Sequence, residues 1–178
     1  IIKKNDFETT KTTVNYIYKK LQFFHNDRKT EKFKLNFNEF DKNLYSTYLS
    51  FLKIEDCIFP IKSFVDHRGS FIEFIKGPLS GQISIFTAFP NVVRGNHFHH
   101  TKVERFLVSS GTALFKFKNI INSMEYEKVV NGEQPQVVET FPGWNHSIKN
   151  IGATEVSGVI WSNEVYDPQK PDTYIKKV

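Results

Sequence analysis

Cysteine and methionine are nearly missing from this 178-residue chain, which has one of each, Cys57 and Met124. A single cysteine excludes a disulfide within the chain, and this fits a reducing compartment. No apolar run approaches the ~20 residues of a membrane span, and nothing resembles a signal peptide, so we expect no membrane partner. Because the first residue is Ile, we expect the chain to be part of a longer protein.

Acidic residues are in the minority, since 24 Lys and Arg accompany 19 Asp and Glu, which gives a net charge of +5. Most of the excess is lysine in the first sixty residues and at the C-terminus. Such a surplus is typical of a solvated surface, and the alternative is a weak attraction for anionic ligands such as phosphates. No basic array interleaved with aromatic residues is present, so we expect no nucleic-acid partner.

Residues 1–53 have the hydrophobic periodicity of helices. Apolar side chains recur at three- and four-residue steps in two stretches, which predicts two amphipathic helices joined by the polar segment "HNDRKTEK". The two stripes are Val14, Ile17, Tyr18, Leu21 and Phe24, and then Phe37, Phe40, Leu44, Tyr48 and Leu52. Two such helices do not make a domain alone, so we expect them to dock onto another part of the protein.

Residues 54–178 have a different texture. Short runs rich in β-branched and aromatic residues, such as "GQISIFTAF", "VERFLV", "TALFKFKNI" and "EVSGVIWSN", alternate with Gly, Pro and Asn turn signals. Many short strands at close spacing predict a mainly β sandwich or small barrel.

The stretch "GNHFHHTKVERF", residues 95–106, carries three of the chain's six histidines within four positions. On a strand, His97 and His99 share one face. Glu104 is an odd number of residues beyond His97, and a turn around Thr101 and Lys102 would return it to the same side. Two imidazoles and a carboxylate are then predicted to converge inside the barrel, where bare polar groups are costly.

A second stretch, "FPGWNHSIKN", places His146 just after a Pro-Gly turn, at the start of a strand. Three His and one Glu with an open position suit a catalytic divalent metal such as zinc, and the same set suits iron, manganese or nickel. The alternative is that each histidine is an ordinary core or surface residue. Because His-x-His, a following Glu and a separate Pro-Gly-x-x-His occur together, we favour a metal site formed by His97, His99, Glu104 and His146.

These two stretches resemble the paired motifs of the cupin superfamily, whose fold is a double-stranded β-helix, or jelly-roll, barrel. "GNHFHHTKVERFLVSSG" is similar to the first motif, with His97, His99 and Glu104 at its ligand positions. "PGWNHSIKN" is similar to the second motif, with His146 as the remaining ligand. Cupins cover many unrelated chemistries, so this resemblance implies a fold and a site without choosing a reaction.

A closer resemblance runs from Leu44 to Val178. "LYSTYLSFL", "DHRGSFIEF", "GEQPQVV", "NIGATEV" and "PDTY" are similar, in this order, to the C-terminal part of bacterial capsular-polysaccharide enzymes. In that family a nucleotide-sugar reductase domain precedes a zinc cupin. The resemblance implies that the cupin performs C3 epimerisation of a UDP-linked 4-keto-6-deoxy-N-acetylhexosamine. The NADPH-dependent domain then reduces the ketone, on the way to N-acetyl-L-fucosamine.

The same resemblance implies the domain organisation. Residues 1–53 would be the helical tail of the short-chain reductase domain, and residues 54–178 would be the cupin. No Gly-x-Gly-x-x-Gly occurs, so we expect NADPH to bind only in the missing domain. A UDP-sugar substrate, a homodimer and a cytoplasmic location in bacteria are also expected.

Other chemistries compete with this one. "DHRGSFIEF" and "RGNHF" also resemble metal-free 3,5-epimerases of deoxysugar nucleotides, in which the histidine of Arg-Gly-x-His is a catalytic base. On that alignment His97 would be a base rather than a ligand, although His99, Glu104 and His146 favour the metal. An iron-dependent cupin oxygenase and a non-catalytic sugar-binding or dimerisation cupin are the further alternatives.

Epimerisation beside a ketone requires a base that reaches the C3 hydrogen. Our candidates are Lys102 and His100, at the turn beside the ligands, with Tyr126 and Tyr166 as weaker ones. For Lys102 the alternative is an exposed turn residue without a catalytic role.

The substrate diphosphate requires cations. Arg94, just before the ligand strand, and Arg68, in the Asp-x-Arg-Gly segment, are candidates to bind it. The alternative for Arg68 is a structural pairing with Asp66 or Glu73.

Overall fold

The computed structural model describes residues 11–32 and 37–178. The chain divides into two compact units, with the boundary between Pro60 and Ile61. Residues 1–10 and 33–36 of the predicted helical region lie outside the described residues. The assignment of the first unit to the tail of a reductase domain stays a prediction.

The described part of the first unit contains two helices and a short 3-10 turn, namely α1 (Val14–Asp27), α2 (Glu39–Ser50) and the turn Ile54–Cys57. Each helix begins at a side chain that accepts a hydrogen bond from a free backbone N–H. Thr13 accepts from the N–H of Tyr16 at 3.2 Å, and Asn38 accepts from that of Asp41 at 2.8 Å. The two predicted helices are confirmed, and α1 includes the first three residues of the expected connector. No helix in the described residues is long and apolar enough to cross a bilayer.

Phe24 is the centre of the helical unit, with 2% of its surface exposed. Its ring packs edge-on against Phe37 and Tyr45, at centroid distances of 5.5 and 4.9 Å. The ring of Tyr48 lies 6.2 Å away. The apolar stripes predicted from the three- and four-residue spacing therefore pack against each other.

The second unit consists of two antiparallel sheets. Its strands are β1 (Ser63–Asp66), β2 (Gly69–Gly77), β3 (Gly81–Ala88), β4 (Val93–Phe98), β5 (Glu104–Ser110), β6 (Thr112–Asn119), β7 (Glu125–Asn131), β8 (Val137–Thr140), β9 (Trp144–Asn150), β10 (Val156–Ser162) and β11 (Tyr174–Ile175). The six-stranded sheet has the order β1-β2-β3-β10-β5-β8, and the five-stranded sheet has the order β11-β4-β9-β6-β7. Several adjacent strands, such as β3 and β10 or β4 and β9, come from distant parts of the chain, as in a jelly roll. The predicted mainly β cupin architecture is confirmed.

Aromatic side chains from both sheets form the core. On β5, Phe106 and Val108 are buried and Arg105 is exposed, which is the alternation expected for the returning strand. Phe106 packs edge-on against Phe86 of its own sheet and Phe115 of the opposite sheet, with centroids 6.2 and 5.4 Å apart. Burial of apolar surface contributes about 25 cal/mol per Å², so these rings hold the two sheets together.

Gly158 lies on β10 at a point where a side chain has no room. A Cβ atom there would come within 2.6 Å of the Leu107 carbonyl oxygen and 2.7 Å of a Phe86 ring carbon. We expect Gly158→Ala to lower the free energy of unfolding by about 1–3 kcal/mol, because overpacking forces the neighbours to shift. Urea unfolding followed by tryptophan fluorescence measures this, since both tryptophans, Trp144 and Trp161, belong to this unit.

Ser157→Ala is the matched control on the same strand. The Ser157 hydroxyl bonds the hydroxyl of Ser109, 3.0 Å away, at the exposed surface. Its loss should change the free energy of unfolding by no more than about 0.5 kcal/mol. Wild-type stability of Gly158→Ala would contradict the close approach of β10 to Phe86.

Candidate metal centre

Four side chains from both sheets meet inside the β unit. His97 is on β4, His146 is on β9, Glu104 begins β5, and His99 lies one residue past the end of β4. One ring nitrogen or carboxylate oxygen from each lies within 4.8 Å of the others. The convergence expected from two separated motifs is therefore present in the structure.

A bulge in β4 brings its histidines to this position. The pairing of β4 with β9 shifts register between Gly95 and His97. The extra residue, Asn96, has a left-handed φ of 60°. Gly95 has a φ of 85°, and a Cβ atom on it would come within 2.8 Å of the His146 carbonyl oxygen. The "GN" before His97 thus lets the strands approach, and the His97 and His146 ring centroids are 4.7 Å apart.

The far side of the His99 ring is held by the backbone. Its Nδ1 donates to the carbonyl oxygen of Asp172 at 2.6 Å, since a carbonyl can only accept. In neutral His99 the Nε2 atom therefore carries the lone pair, and this atom lies 3.3 Å from Glu104 Oε2. His146 Nε2 lies 3.2 Å from the same oxygen, without the angle of a hydrogen bond. Two ring nitrogens thus face one carboxylate oxygen.

Burial and neighbouring groups set the charges of the centre. The pKa of His97 is lowered to about 3, mainly by burial and then by the nearby His146. Burial raises the pKa of Glu104, but the adjacent imidazoles of His146 and His99 outweigh it and hold that pKa below its usual range. At neutral pH His97 is uncharged and Glu104 is ionised, which is the state in which both bind a metal.

The unpaired atoms of the centre fit a bound cation. The Nε2 atoms of His97 and His146 are buried and have no hydrogen-bond partner in the described part of the chain. Leaving a buried polar group unpaired costs about 1–3 kcal/mol. A divalent cation would satisfy both nitrogens, the lone pair of His99 and the Glu104 carboxylate together. Three imidazoles and one carboxylate are donors that suit zinc, iron, manganese or nickel, so the residues present fit a metal.

The centre faces a cavity of about 460 Å³, which is the size of a small-molecule site. Aromatic and aliphatic side chains supply much of its wall, including Phe64, Phe71 and Ile160. Three cationic residues also line it; they are Arg68, Arg94 and Lys102. A cavity whose wall is partly apolar and partly cationic suits an anionic ligand that also carries an uncharged part.

Both predicted substrate-binding arginines reach this cavity. Arg68 binds the Asp66 carboxylate through Nε at 2.9 Å and Nη2 at 2.6 Å, so the structural pairing with Asp66 is present. The Arg68 side chain lowers the pKa of Asp66 to about 2. Arg94 donates from Nε to the Thr87 carbonyl at 2.7 Å, and burial lowers the pKa of its guanidinium. Each guanidinium has five donors, so both keep N–H groups beyond these bonds.

Lys102 is buried, with 5% of its surface exposed, and it lines the cavity. The alternative of an exposed turn residue is therefore wrong. Its Nζ donates to the carbonyl oxygen of Pro171 at 2.9 Å and to the hydroxyl of Thr173 at 3.1 Å. The ammonium also lies 5.7 Å from the ring centroid of Tyr166, which lines the same cavity.

The structure does not bring His100 or Tyr126 to the cavity. His100 is exposed, and its ring packs edge-on against Tyr174 at a centroid distance of 4.6 Å. Tyr126, on β7, is 58% exposed and lines a separate surface depression. It pairs with Phe117, which in turn pairs with His146. Tyr126 is thus two strands from the nearest histidine, roughly 10 Å across the sheet, with Phe117 between them.

Asp172 supports the centre, and sequence analysis assigned it no role. Its carboxylate accepts the backbone N–H groups of His100, Thr101 and Lys102 at 2.9, 2.8 and 2.9 Å. Burial raises the pKa of Asp172, but these N–H groups hold it below its usual range. The only sequence signal was "PDTY", a motif without a mechanism, because the partners of Asp172 lie about seventy positions earlier.

Two apposed antiparallel sheets around a cluster of three His and one Glu define a cupin. Residues 64–174 match the family described as Polysaccharide biosynthesis C-terminal domain. The chain belongs to this family.

The relatives come from capsule and nucleotide-sugar biosynthesis. Over 162 residues the chain is 44% identical to UDP-2-acetamido-2,6-beta-L-arabino-hexul-4-ose reductase of Pseudomonas aeruginosa, covering 91% of the chain and 44% of that protein. The capsular polysaccharide assembling protein CapF from Staphylococcus aureus is 40% identical with a TM-score of 0.92, covering 96% of the chain and 50% of the solved one. A CapF structure with the inhibitor 3-isopropenyl-tropolone is 41% identical, with a TM-score of 0.90. The match covers 95% of this chain and 50% of the CapF chain. The chain thus spans about half the length of these relatives.

Replacing Asp172 tests whether the loop that it binds supports the metal. We expect Asp172→Ala to weaken apparent zinc affinity by about tenfold or more, because groups that orient a ligand typically contribute this much. Competition with a chromogenic chelator measures the affinity. Asp167→Ala is the control, since Asp167 accepts an N–H from Gln169 in an exposed turn. Equal zinc affinity of the two variants would show that the metal ligands are oriented without the Asp172 carboxylate.

Proposed function

We propose that this chain catalyses metal-dependent C3 epimerisation of a UDP-linked 4-keto-6-deoxy-N-acetylhexosamine, in the formation of capsule or O-antigen sugars. The observation that carries the proposal is the buried Lys102 in the cavity that the His97, His99, Glu104 and His146 centre faces. The name of the Pseudomonas aeruginosa relative supports it, since a 2-acetamido hexul-4-ose linked to UDP is a 4-keto amino sugar nucleotide.

The proposal places the chain within a larger enzyme. The relatives are about twice as long as this chain, and one is named a reductase. We assign NADPH binding and reduction of the C4 ketone to a short-chain reductase domain outside these residues. A homodimer and a cytoplasmic bacterial location belong to the same proposal.

Epimerisation next to a ketone removes the C3 proton from one face of the sugar and returns one to the other. Removal places negative charge on the C4 oxygen, and this charge is the main barrier. A divalent cation bound by the four-residue centre would act as a Lewis acid and stabilise that charge by several kcal/mol. We propose zinc, and the same donor set also suits iron, manganese or nickel.

Lys102 is the proposed base. Two of the three directions around its Nζ are used by Pro171 and Thr173. In the amine form the third direction holds a lone pair, which can take the C3 proton. Lys102 lines the same cavity as all four candidate ligands, so it lies near the centre. Tyr166, next to Lys102 on the cavity wall, is the second candidate for carrying a proton.

Arg68 and Arg94 are proposed to bind the diphosphate. Both line the cavity, and each keeps N–H donors after its internal hydrogen bonds are counted. Asp66 and the carbonyl of Thr87 fix the directions of the two guanidiniums, so less side-chain entropy is lost when phosphate oxygens bind.

Loss of one ligand tests the metal mechanism. The zinc-loaded chain should exchange the C3 hydrogen of the UDP-4-keto sugar with solvent deuterium, detected by mass spectrometry. His146→Ala should bind metal more weakly and lose exchange in proportion, because one of the four protein donors is removed. Elemental analysis measures the bound metal. The control variant His100→Ala should retain both the bound metal and the exchange of the C3 hydrogen.

Three outcomes would contradict the proposal. Exchange by metal-free His146→Ala would favour a mechanism in which His97 is the base. The epimerase assignment would end if the metal-loaded chain showed no exchange while a separated reductase domain showed all of it. Oxygen-dependent turnover with bound iron would indicate an oxygenase.

Replacing Lys102 tests the assignment of the base. Lys102→Met keeps the length and apolar stem of the side chain, so we expect bound zinc to be unchanged. Exchange should slow by about 10²–10⁴-fold, the usual contribution of a positioned acid or base. Tyr126→Phe is the matched control, because that residue lines another depression. Wild-type exchange by Lys102→Met would remove Lys102 from the mechanism and direct attention to Tyr166.

A further inference from the structure

Polar side chains cluster on the inner face of the six-stranded sheet, beside the metal centre. We call this cluster the polar wall; it consists of Glu73 on β2, Gln82 and Ser84 on β3, and Ser162 on β10. All four residues line the cavity. Ser162 pairs with Gln82 on one side and with Glu104, the carboxylate of the metal centre, on the other. Directly paired residues share a face, so the polar wall begins one strand from the centre.

Gln82 organises the polar wall and has no donor left for a ligand. Its amide nitrogen donates to Ser84 Oγ at 3.0 Å and to Glu73 Oε1 at 3.3 Å. Its amide oxygen accepts the backbone N–H of Tyr166 at 3.0 Å. The other oxygen of Glu73 pairs with Lys76 Nζ at 2.5 Å. Lys76 therefore partners the Glu73 carboxylate from outside the polar wall, and Glu73 is the only charged member of the wall itself.

Two hydroxyl groups of the polar wall keep unused hydrogen-bonding capacity. Ser162 is 7% exposed, and its Oγ is buried without a hydrogen-bond partner among the residues that the structure describes. Ser84 accepts from Gln82, which leaves its O–H available as a donor. A buried hydroxyl without a partner is costly, so a group that enters the cavity and bonds Ser162 recovers that cost.

We infer that the polar wall binds the acetamido group of the sugar, with its carbonyl accepting from the hydroxyls of Ser162 and Ser84. The amide N–H then has the Glu73 carboxylate, which keeps free lone pairs, as its acceptor. A phosphate does not fit this wall, because Glu73 would repel it. The inference rests on the proposed function. In that reaction the acetamido group is carried by C2, which is bonded to the reacting C3 next to the metal centre.

Two nucleotide sugars that differ at this substituent test the inference without any reaction. UDP-N-acetylglucosamine carries an acetamido group where UDP-glucose carries a hydroxyl. We expect the zinc-loaded chain to bind the first more tightly by about tenfold or more, as measured by isothermal titration calorimetry. Ser162→Ala should reduce this preference by about fivefold, with less than about a twofold change in the Kd of UDP-glucose.

The matched control is Ser157→Ala, on the same strand but outside the cavity lining, which should keep the wild-type preference. Ser162→Ala removes a hydroxyl that has no hydrogen-bond partner among the described residues, so its urea midpoint should be no lower than that of wild type. Equal Kd values of the two sugars for wild type, or an unchanged preference in Ser162→Ala, would overturn the inference. Loss of deuterium exchange at C3 with the preference intact would instead count against the proposed epimerisation.

Discussion

Three imidazoles and one carboxylate converge in this protein, with His99 and His146 buried and His97 and Glu104 half-buried, and the rest of the β unit is arranged around that constraint. The His99 Nε2 lone pair and His146 Nε2 both face the same Glu104 oxygen, at 3.3 and 3.2 Å. Two acceptors at this distance repel each other unless a proton or a cation lies between them. The buried Nε2 atoms of His97 and His146 also have no hydrogen-bond partner in the described part of the chain, and one divalent cation would satisfy all four groups together.

The C-terminal segment supports the ligands and the proposed base at the same time. The Asp172 carbonyl orients His99, while its carboxylate binds three N–H groups of the loop that leads from β4 to β5. Pro171 and Thr173 hold the Lys102 ammonium. A shift of this segment would therefore move a metal ligand and Lys102 together, and the distance between them would be preserved better than by two independent supports.

The fold and the four candidate ligands were accessible from the sequence because their signals are local. Strand alternation places His97 and His99 on one side, and a Pro-Gly turn sets the start of the His146 strand. Lys102 stayed ambiguous because its burial depends on Pro171 and Thr173, about seventy residues later. Tyr126 was placed too near the centre, since the intervening Phe117 is visible only once the pairing of β6 with β9 is known. Spacing rules cannot identify a hydroxyl such as that of Ser162, which has no hydrogen-bond partner within residues 11–32 and 37–178.

An enzyme that inverts one carbon must hold the substrate through groups whose configuration does not change. The C3 hydroxyl occupies different positions in the two epimers, so a strong bond to it would favour one of them and slow the reverse reaction. The diphosphate and the acetamido group keep their positions throughout. The cavity has matching features on separate elements, with Arg68 and Arg94 near β2 and β4 and the polar wall beside Glu104. In the proposed reaction, anchoring the sugar at these two groups would leave C3 free to react between Lys102 and the metal centre.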